Sequence, residues 1–131
     1  MPARDMRSPL GRALGLGSAK EGVEHWWLQR LTAVALVPLS VWFAAVVIKL
    51  AGADLATVQA WIGHPLPAIL LTLLLIATFY HMALGLQVVV EDYVGAPLVR
   101  LGLVLVLRLA CFALAVAGIF AVFSMAFGAS G

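Results

Sequence analysis

Three long apolar runs organise this chain: residues 31–48, 66–90 and 101–127, each closed by polar or turn-forming residues. A bilayer core needs about 20 helical residues to cross, so each run, with its flanks, is long enough to span one. Trp26 and Trp27 stand before the first run and Lys49 and Gly52 close it. Paired aromatics at a span entrance suit the membrane interface. Pro38 falls inside this run, and a proline is tolerated in a transmembrane helix. Residues 53–65 read as a loop holding Asp54, Trp61 and His64, and residues 91–100 as a second loop with Gly95 and Pro97 as breakers. The pattern predicts an all-α membrane protein of three transmembrane helices, over about residues 31–52, 66–90 and 101–127.

Ahead of the anchor, taken as residues 25–131, lies a polar segment, residues 1–24. Gly11, Gly15 and Gly17 argue against a long helix there. Ser18 and Glu21 have capping-box spacing, which predicts a helix start near Ala19.

Composition supports the membrane reading. The chain is 64% hydrophobic and 11% charged, and its mean hydropathy is +1.10. Soluble domains carry about 25% charged residues, and too few residues lie outside the apolar runs to build a separate soluble domain.

The net charge of +2 is small but unevenly placed. Arg4, Arg7, Arg12, Lys20 and Arg30 precede the first run, Lys49 ends it, Arg100 sits in the second loop and Arg108 lies beyond it. Positive residues favour the cytoplasmic side. The N-terminus and second loop are therefore expected inside (cytoplasmic), the first loop and C-terminus outside (periplasmic). The basic N-terminus lacks interleaved aromatics and leads into a membrane, so nucleic acid is not an expected partner. Cys111 reads as a small buried hydrophobe. The first 30 residues lack an apolar h-region with a cleavage site, so no cleavable signal peptide is expected. The absence of an evident targeting presequence points to a bacterial inner membrane rather than a mitochondrion.

His81 carries the chemistry. It lies within the second apolar run, where the only other ionisable side chain is the Tyr80 phenol. An ionisable group inside a span is costly and marks a functional site by default. On the residues alone three roles stay open: a metal or haem ligand, a hydrogen bond to a neighbouring helix, or a proton relay. At about 100° per residue, His81, Gly85, Val88 and Asp92 share one narrow stripe, with Asp92 about 16 Å along the axis. Gly85 leaves room for a flat group against the backbone. Tyr93 points about 120° from the His81 face. A bis-histidine haem would need its second ligand from another chain, because His25 and His64 sit at span ends. In the third run Ala113, Ala117 and Ala121, with Gly118 beside them, form a small-residue stripe suited to close helix approach. Three spans make a thin bundle, and a lone intramembrane histidine wants a partner. Both point to a subunit of a larger complex.

The string from His81 to Tyr93 resembles the His-x3-Gly-x3-Val-x2-Asp-Tyr motif of the small cytochrome b membrane-anchor (D) subunits of succinate dehydrogenase, respiratory complex II. Gly22–Val23 and Arg30-x-Thr32-Ala33 resemble the same family's first-span entrance, and the likeness extends from residue 22 to about residue 127. The Ser-x-x-His-Arg entrance of the companion C subunit is absent. The resemblance implies an anchor that has no catalytic residue and no activity by itself. It implies His81 as one axial ligand of a b-type haem shared with the cytochrome b C subunit. Tyr93 would hydrogen-bond a ubiquinone carbonyl, Asp92 would order that site, and Arg30 would lie near a haem propionate. His25 is a second propionate candidate but departs from the family pattern, since Glu24 intervenes after Val23. Arg108 has no counterpart and is expected to snorkel. The implied partners are the C subunit, an iron–sulfur subunit, a flavoprotein subunit and membrane lipid. Two alternatives are the anchor of a related fumarate reductase and a small scaffold or transporter subunit with a structural His81.

Overall fold

A computed structural model describes residues 8–10 and 18–128 of the chain. Gly11, Gly15, Gly17 and the side chains of Ser18 and Glu21 lie outside the description. Four helices follow: α1 (Ser18–Leu50), α2 (Leu55–Ile62), α3 (Pro65–Tyr93) and α4 (Pro97–Gly128). Among the described residues there is no strand. The three long helices are each long and apolar enough to cross a membrane, and the chain is a multi-pass membrane protein.

α1 is 33 residues long, which at 1.5 Å per residue is about 50 Å. It therefore outreaches a hydrocarbon core of about 30 Å. It begins at Ser18, so the end of the polar segment and the first span share one helix rather than parting at residue 25. It runs unbroken through Pro38 and stops at Leu50, two residues short of the expected end. Gly52 makes the turn there with φ +81°, a conformation open to glycine and costly for other residues.

The expected first loop contains a short helix. α2 starts at Asp54, whose carboxylate accepts the Thr57 backbone N–H at 2.9 Å. The Thr57 hydroxyl and N–H both hold the Asp54 carboxyl below its ordinary pKa of 3.8, so the cap is charged at neutral pH. Ile62, buried on α2, packs with Ala68 of α3 and Val122 of α4, flanked by Val58 and Trp61. Trp61 also stacks on Trp42 of α1 at 5.9 Å between ring centroids. This cluster ties all four helices together at one end.

α3 begins with Pro65 at its first turn, where the missing N–H costs nothing. It ends at Tyr93, with the Val94 N–H closing on the Val90 carbonyl at 2.9 Å. α3 is central: α1 packs on one side and α4 on the other, while α1 and α4 share little contact. The chain runs antiparallel from helix to helix. The N-terminal half of α1, the end of α3 and the start of α4 thus share one end of the bundle.

The alanine stripe does not form the α3–α4 contact. Ala113, Ala117 and Ala121 are all exposed. The packed face of α4 is instead Cys111, Ala115, Gly118 and Val122, with Cys111 and Val122 buried. Gly118 makes the close approach: a Cβ added there would lie 3.1 Å from the two Leu75 Cδ atoms. Gly118→Val should therefore overpack this contact and cost about 1–3 kcal/mol. Thermal or denaturant unfolding of the purified complex measures it, and unchanged stability would contradict the contact.

Candidate functional site

Two polar stripes meet along the α1–α3 seam. On α1, His25, Gln29 and Thr32 recur at i, i+4 and i+7, which puts them on one face. On α3, His81, Gly85 and Asp92 share a face by the same periodicity. The helices run antiparallel, so Thr32 meets His81 and Gln29 meets Gly85. The Thr32 hydroxyl lies 3.0 Å from His81 Nδ1, and both groups are partly buried. No other described residue hydrogen-bonds His81. At Gly85 an added Cβ would touch only Gln29 Nε2, at 4.0 Å. Glycine inside a helix costs about 1 kcal/mol relative to alanine. The chain's own packing does not require it here.

Thr32 fixes the state of the imidazole. Its hydroxyl also lies 2.8 Å from the Leu28 carbonyl and 3.0 Å from the Gln29 carbonyl. A hydroxyl has one proton and two lone pairs, and a carbonyl can only accept. All three contacts are hydrogen bonds only if Thr32 donates back to its own helix and His81 Nδ1–H donates to Thr32. Of the two neutral tautomers, this selects the one with its proton on Nδ1 and its lone pair on Nε2.

His25 lies nearer the shared end of the bundle. Its Nε2 is the one buried side-chain nitrogen or oxygen among the described residues that has no hydrogen-bond partner. A buried polar atom without a partner is costly and calls for one. Arg30 is exposed, and its guanidinium sits 4.8 Å over the Trp26 ring. It flanks the seam rather than lining it.

Asp92 and Tyr93 are the last two residues of α3. Both are exposed, Tyr93 by 86%, and no hydrogen bond joins them. An acidic group at a helix C-terminus opposes the macrodipole, an effect of about 0.3–1 kcal/mol. Glu91, beside them, is engaged by Gln87 Nε2 at 2.8 Å. Asp92 has no such partner among the described residues. The structure thus brings His81 together with Thr32 and leaves Asp92 and Tyr93 about 16 Å down the same helix.

A second polar group faces α4. Arg108 crosses to α3, where its Nε donates to Gln87 Oε1 at 3.1 Å and one Nη donates to the same oxygen. Gln87 lies about 120° around α3 from His81, so Arg108 leans toward the Asp92 end on a different face. A cavity of about 360 Å³ between α3 and α4 is lined by Gln87, Glu91, Arg100 and Arg108, among others, but by neither Asp92 nor Tyr93. Gln29, Gln87 and the Thr32–His81 bond were not singled out from the sequence. A glutamine or threonine in an apolar helix is the signal that would have found them.

Among the described residues no cluster of three His, Cys, Asp or Glu side chains can hold a metal ion. Residues 4–122 match the model of the succinate dehydrogenase/fumarate reductase transmembrane subunit family. The succinate dehydrogenase hydrophobic membrane anchor subunit of Rickettsia bellii is 36% identical over 91% of this chain and 95% of its own length. That of Rickettsia conorii is 32% identical over the same shares. That of Paracoccus denitrificans is 36% identical over 66% of this chain and 67% of its own. With three membrane-crossing helices, a mid-span histidine and matches along nearly its whole length, the chain belongs to the succinate dehydrogenase/fumarate reductase transmembrane subunit family, as a succinate dehydrogenase membrane anchor.

Proposed function

We propose that this anchor shares a b-type haem with a partner subunit through His81 and forms one wall of a ubiquinone-reduction site through Tyr93 and Asp92. The state of His81 carries the proposal. Its Nδ1 is engaged by Thr32, which leaves Nε2 as a neutral lone-pair donor at mid-depth, the form that binds haem iron. The other features fit the same group. Gly85, one turn below His81, presents no side chain to a flat group lying against the helix, and an added Cβ would meet only Gln29 Nε2, at 4.0 Å. His25 Nε2 is buried and has no partner among the described residues, toward the end where propionates would lie, and Arg30 lies on the same helix near that end, over Trp26. A b-type haem here would supply a one-electron redox centre within the membrane. Its second axial histidine would come from the cytochrome b C subunit.

The lower end of α3 would serve the quinone. Succinate oxidation on a flavoprotein subunit yields two electrons, which pass through an iron–sulfur subunit. Ubiquinone takes up two electrons and two protons to become ubiquinol. A phenol O–H can donate a hydrogen bond to a quinone carbonyl oxygen, and Tyr93 is exposed for that purpose. Asp92, an acid kept against the helix dipole without a partner among the described residues, would order that site and support proton delivery. The chain would sit in a bacterial inner membrane with this end on the cytoplasmic side, where the soluble subunits dock.

Purification of the complex with its partners should give b-type haem absorption bands. His81→Ala should alter those bands or reduce haem occupancy, whereas an unaltered spectrum would reject the ligand assignment. Tyr93→Phe should lower quinone reduction roughly tenfold, the value of one hydrogen bond of about 1.4 kcal/mol. Succinate oxidation with an artificial electron acceptor should persist in that variant. Equal loss of both activities would remove Tyr93 from the quinone site.

A further inference from the structure

We infer that Thr32 is a positioning residue for the haem ligand: it fixes the tautomer and the ring plane of His81 and thereby sets the redox potential of the iron bound there. The inference rests on the haem reading of His81. It goes beyond that reading by giving the potential to a hydroxyl on a different helix.

The geometry is specific. Thr32 lies 49 positions from His81 and meets it only through the register of α1 against α3. A threonine side chain has a branched, stiff Cβ. Its hydroxyl proton is held by the backbone carbonyls of Leu28 and Gln29 at 2.8 and 3.0 Å. Such back-bonding leaves the oxygen's lone pairs turned outward as a fixed acceptor. The acceptor is thus in place before any ligand binds, and only an imidazole protonated on Nδ1 satisfies it. A histidine that binds a metal through one ring nitrogen usually donates its other N–H to a nearby acceptor, and this bond sets ring orientation and ligand basicity. Here the acceptor is a neutral hydroxyl within a membrane span.

Loss of this acceptor has two consequences of known sign. The Nδ1–H becomes an unpaired donor in an apolar setting, so the ring is free to turn away. The imidazole also donates less electron density to the iron, which favours the ferrous state. Thr32→Val keeps the shape of the side chain and deletes the hydroxyl. Thr32→Ser keeps the hydroxyl.

Redox titration and low-temperature electron paramagnetic resonance of the purified complex test the inference. In Thr32→Val the midpoint potential should move upward and the low-spin g-values should change, while Thr32→Ser should match the unaltered complex in both. Where Thr32→Val does not accumulate, Thr32→Ala, which removes the hydroxyl without adding bulk, is read in the same way. A hydroxyl-free variant with the unaltered potential and spectrum would overturn the role of Thr32. So would a Thr32→Ser variant shifted as far as Thr32→Val. His81→Ala keeps the two readings apart: a spectrum that ignores His81 rejects the haem assignment, while one that depends on His81 and ignores Thr32 rejects only the positioning role.

Discussion

An imidazole in the apolar core of a membrane needs a partner for its N–H, because an unpaired polar group there costs several kcal/mol. The rest of the site depends on how this chain meets that need. Thr32 takes the Nδ1–H of His81 across 3.0 Å, and it can do so only because α1 and α3 run antiparallel in one register. The same register sets Gln29 opposite Gly85 and brings His25, with its buried and unpartnered Nε2, toward the shared end. One hydrogen bond thus joins the two helices at this register and favours the tautomer with its proton on Nδ1.

α3 serves its neighbours on separate faces. Toward α1 it presents His81 and Gly85. Toward α4 it presents Gln87, which receives Arg108 and passes the contact on to Glu91. At its end it leaves Asp92 and Tyr93 exposed, with no side-chain partner among the described residues. The Arg108–Gln87–Glu91 chain satisfies a charge that would otherwise be stranded on α4, and it keeps Arg108 off the His81 face. Very little of the molecule is buried within itself: a cluster of Ile62, Ala68 and Val122 closes one end, and large side chains such as Phe112 and Phe120 lie about 70% exposed. In lipid such exposure is ordinary, and it leaves wide surfaces for other subunits.

The three spans were legible in the sequence because long apolar runs have few other uses. Their ends were less so. Ser18 and Glu21 marked a helix start near Ala19, which agrees with α1 beginning at Ser18, but the apolar run from residue 31 did not show that this helix continues unbroken into the span. α2 was missed because eight residues make too short a pattern to stand out from a loop, although Asp54 with Thr57 is a capping signal. The small-residue stripe did not identify the face that packs on α3: every side of a lipid-facing helix is apolar, so composition does not tell which side meets which neighbour. Gly118, noted only as a neighbour of the alanines, makes the contact with Leu75. That His81, Asp92 and Tyr93 lie on one helix, His81 within the span and the other two at its end, was legible from their spacing. The Thr32–His81 bond was not, because it depends on how two helices meet, which no local pattern encodes.

A density map of the assembled complex, at a resolution that shows side chains and haem, tests the central claim most directly. The account predicts iron bound to His81 Nε2, with His81 Nδ1 within hydrogen-bond distance of the Thr32 hydroxyl. Iron held by another residue of this chain, or a His81 ring turned away from Thr32, would contradict it.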